Sequence, residues 1–275
     1  MIIENETTVK HIFVEQNSIE SAYLERKVIY DVYLPTSISN PNEMSLLLIN
    51  DGQDLPKMPF DEMLDKLIGD KEIAPIFCVG IYCGAERKRE YGVSYSADYN
   101  GRGDKAGLYQ KFIFDELIPA IRKKYHTPSF KEKSFAGFSL GGLNALDLVW
   151  NNASEFKNVG LFSGSLWWRR KAYNDGYEDE KDRLMHLQIR NGTMYPWLKF
   201  FIQTGTLDEV ADRNNNGIID SIDDALDLIV ELKAKGYTNE HIRYLQMDDG
   251  KHDVPTWGRA FPAFLKWSFG KQFEC

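Results

Sequence analysis

The sequence is poor in cysteine, in excess basic charge and in long apolar segments, and each shortage excludes a class of protein. Its three cysteines, Cys78, Cys83 and Cys275, form no CxxC pair and no Cys/His cluster. This argues against a disulfide framework and a cysteine-based metal site, and it favours a reducing compartment. A net charge of −8 argues against a nucleic-acid partner, because phosphate backbones are bound by clustered Lys and Arg.

The apolar runs are short. None approaches the roughly 18 residues that a membrane-spanning helix requires, so no membrane partner is expected. The first residues, MIIENETTVKHIF, contain acids and lack the apolar core of a signal peptide, which favours a cytoplasmic protein. A periplasmic or secreted protein is the alternative if a signal peptide has been removed. The sequence does not indicate an oligomeric state.

What the sequence does contain is a regular alternation of strand-like and helix-like segments in a globular composition. Hydrophobic residues make up 43% and aromatic residues 13%, which excludes a disordered chain. No linker or repeat interrupts the chain, so a single domain, 1–275, is predicted. The strand-like runs are 28–35, 45–51, 74–82, 133–139, 158–164, 200–205 and 242–248. Helical spacing is found in 108–125, 140–150, 224–236 and 261–269.

This alternation predicts an α/β fold with a mostly parallel central sheet and helices on both faces. The runs 28–35 and 45–51 have no helix between them, so they are expected to form an antiparallel pair at the N-terminal side. In sheets of this kind, ligands bind beyond the carboxyl ends of the strands. Functional residues are therefore expected in the loops that follow the strands.

A candidate nucleophile lies in one of these loops. Residues 137–141 read Gly-Phe-Ser-Leu-Gly, a G-x-S-x-G motif between a predicted strand and a predicted helix. A serine on such a tight turn needs small neighbours, and it sits at a helix N-terminus where backbone N–H groups can stabilise negative charge. Ser139 is therefore predicted to be a nucleophile. The alternative is a glycine-rich turn with a serine that caps the helix.

A serine nucleophile requires a general base and an acid that orients it. Of the five histidines, only His252 lies in a carboxyl-end loop after the serine, so it is the predicted base. Asp208 follows the strand-like run 200–205 and is the predicted acid, with Glu209 as the alternative. Two backbone N–H groups are needed to stabilise an oxyanion, and those of Leu140 and Gln53 are the candidates.

With these motifs the sequence resembles the esterase D-like, or putative esterase, family of α/β hydrolases over nearly the whole chain. That family includes S-formylglutathione hydrolases, feruloyl and acetyl-xylan esterases, enterobactin-type siderophore esterases and mycolyltransferases. The resemblance implies an α/β-hydrolase fold without a large lid and with Ser139, His252 and Asp208 in the roles given above. Arg87 and Glu90 match an Arg-x-x-Glu pair of the family, for which a structural role is favoured. The resemblance is carried by LLLINDGQD (46–54), ERKREY (86–91), LIPAIRKKY (117–125), GFSLGG (137–142), LFSGSLWW (161–168), TGTLD (204–208) and GKHDVPTW (250–257).

The segment 209–224 departs from that family, since most members pass quickly from the acid to the next helix. It resembles the calcium loop of EF-hand and dockerin modules, with oxygen-bearing side chains, a glycine and a carbonyl at the expected spacing. The alternative is a polar surface insertion whose Asp, Asn and Gly residues serve as turn formers. No cofactor is expected for catalysis, and a structural Ca²⁺ is predicted. Its predicted ligands are Asp212, Asn214, Asn216, Ile218 through its carbonyl, and Asp223.

Trp167 and Trp257 are predicted to line the substrate pocket, although each is as readily explained as a core residue. The acidic balance disfavours anionic substrates unless a local arginine offsets it. The sequence thus predicts a serine carboxylesterase that forms an acyl-enzyme with a small-molecule or glycan ester, such as a carbohydrate, feruloyl, acetyl or siderophore ester. The alternatives are an acyltransferase with the same triad and a catalytically silent binding protein of the same fold.

Overall fold

The computed structural model describes residues 10–36 and 43–271. Eight strands form one sheet in the order β1-β2-β4-β3-β5-β6-β7-β8. The strands are β1 (Ile12–Ser21), β2 (Arg26–Pro35), β3 (Ser45–Asn50), β4 (Ile76–Ile81), β5 (Lys133–Phe138), β6 (Asn158–Phe162), β7 (Lys199–Leu207) and β8 (Ile242–Lys251). In the part of the sheet that runs β4-β3-β5-β6-β7-β8, every neighbouring pair of strands is parallel. The predicted α/β-hydrolase fold, with its mostly parallel sheet, is confirmed.

The antiparallel N-terminal strands are also confirmed, but with a different pairing from the one expected. Strand β2 pairs antiparallel with β1 on one side and with β4 on the other. The run 45–51 forms β3, which is parallel to both of its neighbours. The expected pair 28–35 with 45–51 is therefore wrong, because β1, which was not predicted, takes up the free edge of β2. Its alternation of buried and exposed residues is weak, since most of the strand lies at the surface.

Helices cover both faces of the sheet. The predicted helices 140–150 and 224–236 are confirmed, and 261–269 is the second half of a longer helix. The segment 108–125 is helical but divided, because Phe112–Leu117 forms a π-helical turn between two α-helices. The helices are α1 (Phe60–Gly69), α2 (Arg87–Glu90), α3 (Ala106–Lys111), α4 (Ile118–Lys124), α5 (Leu140–Asn151), α6 (Asp179–Asp182), α7 (Leu184–Asn191), α8 (Asp220–Ala234) and α9 (Val254–Phe269). In the described ranges, none is both long and apolar enough to cross a membrane.

The sheet separates two hydrophobic cores, because successive residues of a strand point to opposite faces. In β3, Leu46 and Leu48 join the core beneath α5, while Leu47 and Ile49 join the core beneath α1 and α9. All four side chains are fully buried. Burial on both faces explains why the strand is apolar throughout rather than alternating.

Strand β5 passes into α5 with no loop between them, and this requires close backbone packing. A Cβ atom on Gly137 would lie 2.2 Å from the carbonyl oxygen of Gly141, one turn into the helix. That approach is open only to glycine, so Gly137 is fixed by the fold.

We predict that Gly137→Ala destabilises the protein by at least about 1–3 kcal/mol, the range for a side chain forced into a packed site, because here the obstacle is backbone. Urea denaturation would measure the loss. Gly107→Ala, in α3, is the matched control. A Cβ atom at Gly107 would meet only the Ser94 carbonyl oxygen, at 3.5 Å. Equal unfolding midpoints for the two variants would contradict the prediction.

Candidate active site

Ser139 occupies the sharp turn between β5 and α5. Its φ of 54° and ψ of −121° are unusual for a residue other than glycine, a strain that costs on the order of 1–3 kcal/mol. The turn is held by the Ser139 N–H, which donates to the Phe162 carbonyl (2.9 Å), and by the Ser139 carbonyl, which accepts from Gly142 (3.0 Å). The side chain is half-buried. A serine held in this way resembles the nucleophile elbow that the motif predicts.

Backbone strain recurs along the same edge of the sheet. Asp51 (φ 60°), Ser139 (φ 54°) and Ser163 (φ 46°) follow β3, β5 and β6, which are consecutive neighbours. Strained conformations of this kind cluster at functional sites. The edge formed by the carboxyl ends of the strands is therefore the candidate active site.

The loop after β3 packs directly against the first turn of α5. Asn50 is fully buried, and its amide donates to the Gly141 carbonyl (2.9 Å) and to the Asn144 side chain (3.1 Å). Its carbonyl oxygen accepts from the Tyr109 hydroxyl at 2.6 Å. This network fixes the loop relative to the helix that begins after Ser139.

An ion pair ties the same loop to the end of β5. Arg87 donates to both carboxylate oxygens of the buried Asp51 (2.7 and 2.6 Å) and lies 3.3 Å from the Phe138 carbonyl. Glu90, the other member of the predicted Arg-x-x-Glu pair, instead accepts two hydrogen bonds from Arg26 of β2 (2.7 and 2.6 Å). These contacts agree with the structural role favoured for the pair.

The two predicted oxyanion donors lie in the first turns of two different helices. Leu140 is the first residue of α5, and Gln53 lies in the first turn of a 3-10 helix, Gly52–Lys57. N–H groups in a first turn have no acceptor within their own helix. The Gln53 side chain is anchored to Cys83, since its Oε1 accepts from the Cys83 N–H at 3.1 Å. Their role as oxyanion donors stays a prediction.

Asp208 follows β7 and is held on both carboxylate oxygens. Oδ1 accepts from the Ser163 hydroxyl and Oδ2 from the Gly205 N–H, each at 3.0 Å. Burial raises the pKa of Asp208, while these hydrogen bonds and the charge of His252 act in the opposite direction. Glu209, the alternative acid, is raised in pKa by burial and by the charges of Asp220 and Asp224, and it lies beside the start of α8. The contacts therefore favour Asp208.

His252 follows β8, and the last residues of β8 lie against those of β7. A Cβ atom on Gly205 would be 2.4 Å from the Gly250 carbonyl carbon, so only glycine permits this approach. His252 reaches the surface, but the protein atoms around its imidazole desolvate it and lower its pKa; the Asp208 carboxylate raises this pKa, and the Arg87 guanidinium lowers it. Asp253 caps the next helix by accepting from the Thr256 N–H at 2.9 Å. In the described chain, no hydrogen bond joins the imidazole to Ser139 or to Asp208.

Trp257 links the three predicted catalytic positions. Its ring stacks on Phe138, next to Ser139, with centroids 5.1 Å apart, and meets the His252 ring edge-on at 5.4 Å. Its Nε1 donates to the Ser163 hydroxyl (3.0 Å), which in turn donates to Asp208. Trp257 is 7% exposed, so it lies behind the site. Its predicted contact with substrate stays a prediction.

Two serines of the site were given no role in the sequence analysis. Ser163 holds Asp208, and the hydroxyl of Ser165 lies 3.4 Å from that of Ser139. Both belong to the run FSGS after β6, and short polar residues in a carboxyl-end loop are the signal that would have indicated them. The other predicted substrate contact, Trp167, lies two residues after Ser165 and is half-buried.

The predicted calcium loop folds around its own oxygens. The Asp212 carboxylate accepts from the N–H groups of Asn216 (3.1 Å) and Gly217 (2.9 Å), and one oxygen of Asp223 accepts from the amides of Asn214 and Asn216 (both 2.8 Å). In the described part of the chain, no cluster of three or more His, Cys, Asp or Glu is arranged to hold a metal. A cation here would need amide and carbonyl oxygens in addition to the carboxylates of Asp212 and Asp223, and calcium binding stays a prediction.

Comparison with solved structures shows the same fold in several esterases. A ferulic acid esterase superposes with a TM-score of 0.71 at 18% identity, covering 94% of this chain and 98% of that one. The enterobactin esterase FES from Shigella flexneri gives 0.71 at 19% identity, covering 94% and 58%. The BES protein from Bacillus cereus gives 0.69 at 18% identity, covering 94% and 96%. At these identities the likeness establishes the fold alone.

Among curated proteins, an endo-1,4-beta-xylanase/feruloyl esterase of Xylanibacter ruminicola is 29% identical over 107 residues. The match covers 38% of this chain and 14% of that protein, so the chain spans a small part of its relative. The profile of the family described as putative esterase matches residues 21–268. This match covers most of the sequence and confirms the predicted esterase at the level of the family. The chain belongs to the putative esterase family.

Proposed function

We propose that this protein is a serine carboxylic-ester hydrolase with Ser139 as nucleophile, His252 as base and Asp208 as acid. One observation carries the proposal. Ser139, Ser163, Asp208 and His252 directly follow β5, β6, β7 and β8, four consecutive parallel strands. Neighbouring strands lie about 4.8 Å apart, so these residues lie along the same edge of the sheet, where long side chains can meet.

The mechanism follows from these positions. The Ser139 hydroxyl attacks the ester carbonyl carbon while His252 accepts its proton, and Asp208 stabilises the resulting imidazolium. The N–H groups of Leu140 and Gln53 stabilise the oxyanion. When the intermediate collapses, the alcohol leaves with the proton from His252 and the acyl group remains on Ser139. Water, deprotonated by His252, then releases the acid and restores the serine.

The substrate class is proposed from the relatives. The solved structures include enzymes named for ferulic acid and enterobactin, and the curated relative is named a feruloyl esterase. Esters whose acyl part carries an aromatic group, including feruloylated glycans and siderophore esters, are therefore the proposed substrates.

We predict that the protein hydrolyses p-nitrophenyl esters and that Ser139→Ala lowers kcat/KM at least about a thousandfold, because the nucleophile is lost. Release of p-nitrophenolate measures the rate. Ser18→Ala, at an exposed position of β1, is the matched control and should retain wild-type activity. Undiminished hydrolysis by Ser139→Ala, or none by the wild type across short acyl and feruloyl esters, would refute the proposal.

We predict that kcat/KM rises with pH through the pKa of His252, because only the neutral imidazole can accept the serine proton. Desolvation and Arg87 lower this pKa, so the midpoint of the acid limb should lie below the ordinary histidine value of about 6.5. A pH profile of kcat/KM on a neutral ester measures it. A midpoint at or above 6.5 would contradict the assigned surroundings of His252.

We propose further that residues 212–223 bind a structural Ca²⁺. The side-chain amides of Asn214 and Asn216 contact the Asp223 carboxylate, and the Asp212 carboxylate accepts from the backbone N–H of Asn216, so a flip of either amide would present an oxygen on the same side as Asp223. The loop begins four residues after Asp208. A bound ion would therefore stiffen the segment that leads away from the catalytic acid.

We predict that millimolar Ca²⁺ raises Tm relative to chelator, by about 2–4 °C for each kcal/mol of binding linkage. Asp212→Ala should abolish the response, whereas Asp248→Ala, an exposed acid outside the loop, should keep it. Differential scanning calorimetry measures the shift. If the wild type melts at the same temperature with calcium and with chelator, the loop is a polar insertion only.

A further inference from the structure

Arg169 is a buried cation without an acidic partner. Its side chain is 7% exposed, and within the described residues no carboxylate forms an ion pair with it. Its Nη1 and Nη2 make only long contacts, to the Trp167 carbonyl (3.5 Å) and the Tyr99 hydroxyl (3.4 Å). Its Nε has no hydrogen-bond partner. A buried charge in this condition is unfavourable, because the lost hydration is not replaced.

Three other enclosed arginines are paired with acids. Arg87 pairs with Asp51, Arg183 with Asp224 and Arg213 with Asp179. Arg169 is surrounded by aromatic rings instead. Its guanidinium carbon lies 3.8 Å from the ring centroid of Tyr173, 4.6 Å from Tyr99, 5.6 Å from Tyr177 and 5.9 Å from Trp167.

This aromatic box, defined as Arg169 with Tyr99, Tyr173, Tyr177 and Trp167, lies next to the proposed nucleophile along the chain. Ser165 has its hydroxyl 3.4 Å from that of Ser139, and Trp167 follows two residues later, a span of at most about 7 Å. Tyr173 is 49% exposed and Tyr99 36%, while Arg169 beneath them is buried. The two tyrosines therefore form the outer wall of the box, and rotation of an exposed ring is fast enough to admit a ligand.

Resting on the function proposed above, we infer that the aromatic box is a subsite for a carboxylate at the far end of the substrate's acyl group. A carboxylate fits the planar guanidinium in a bidentate manner and would satisfy Nε. The acyl group is the part bonded to Ser139 in the acyl-enzyme, and the segment that leads to Arg169 starts beside that atom. The local cation thus offsets the acidic balance of the whole protein, which otherwise disfavours anions.

Matched esters test this subsite. Mono-p-nitrophenyl adipate and suberate carry the carboxylate, and p-nitrophenyl hexanoate and octanoate are their neutral counterparts of equal length. The wild type should show a higher kcat/KM for the anionic member of at least one pair. Arg169→Gln should lower that preference about tenfold or more, as expected for the loss of a charge-assisted hydrogen bond, and leave the neutral ester within about threefold.

Arg170→Gln is the matched control, because Arg170 is the next residue, is exposed and already pairs with Asp182. It should leave the preference unchanged. If Arg169→Gln does not fold, Tyr173→Ala replaces it, since removal of this outer ring hydrates the guanidinium and should weaken the preference severalfold. The subsite would be overturned if the folded variant, Arg169→Gln or Tyr173→Ala, showed the same preference for the anionic ester as the wild type.

Failure of the proposed esterase function would give a different result from failure of the subsite. A wild type that cleaves neither member of any pair contradicts the esterase, and the subsite is then judged by calorimetric titration with adipate. Binding by the wild type that Arg169→Gln abolishes and Arg170→Gln retains supports the subsite. No binding by the wild type, or equal binding by the two variants, refutes it.

Discussion

The structure depends on one backbone constraint, the direct reversal from β5 into α5 at Ser139. The turn is strained at this residue and leaves no room for a side chain on Gly137. Because the helix starts at once, the N–H of Leu140, its first residue, has no acceptor within the helix. The strain is offset by the packing of a fully buried helix and by the polar network of Asn50, so the turn is imposed by its surroundings.

Around this turn the site is assembled by contacts between neighbouring loops. The Asp51–Arg87 ion pair joins the loop after β3 to the end of β5, and Ser163 joins the loop after β6 to Asp208. Such pairs add little net stability when desolvation is counted, but they specify one arrangement of the groups that they connect. Arg87 also lowers the pKa of His252 while Asp208 raises it, so the pair that orders the loop tunes the proposed base as well.

Much of the proposed site could be inferred from local motifs. G-x-S-x-G between a strand and a helix indicated Ser139 as the proposed nucleophile, and chain order indicated Asp208 and His252 as the proposed acid and base. Ser163 and Ser165 escaped prediction because their roles depend on contacts with residues 45 and 26 positions away. Trp257 was predicted to contact the substrate; the structure shows its ring against that of His252 and its side chain mostly buried, and the substrate contact stays a prediction. An aromatic residue one helical turn into α9 is equally compatible with both positions until the helix is docked.

The sequence by itself determined seven of the strands, four of the helical segments, the mostly parallel sheet and the strand–turn–helix at Ser139, because hydrophobic periodicity and glycine spacing act over a few residues. Only the tertiary structure decided that β2 pairs with β1 and β4 rather than with β3, since strand pairing is a choice between segments far apart in the chain. It also decided that Arg169 forms no ion pair with any acid of residues 10–36 and 43–271. The net charge can be counted from the sequence. The electrostatic potential at one guanidinium depends instead on which side chains the fold brings around it.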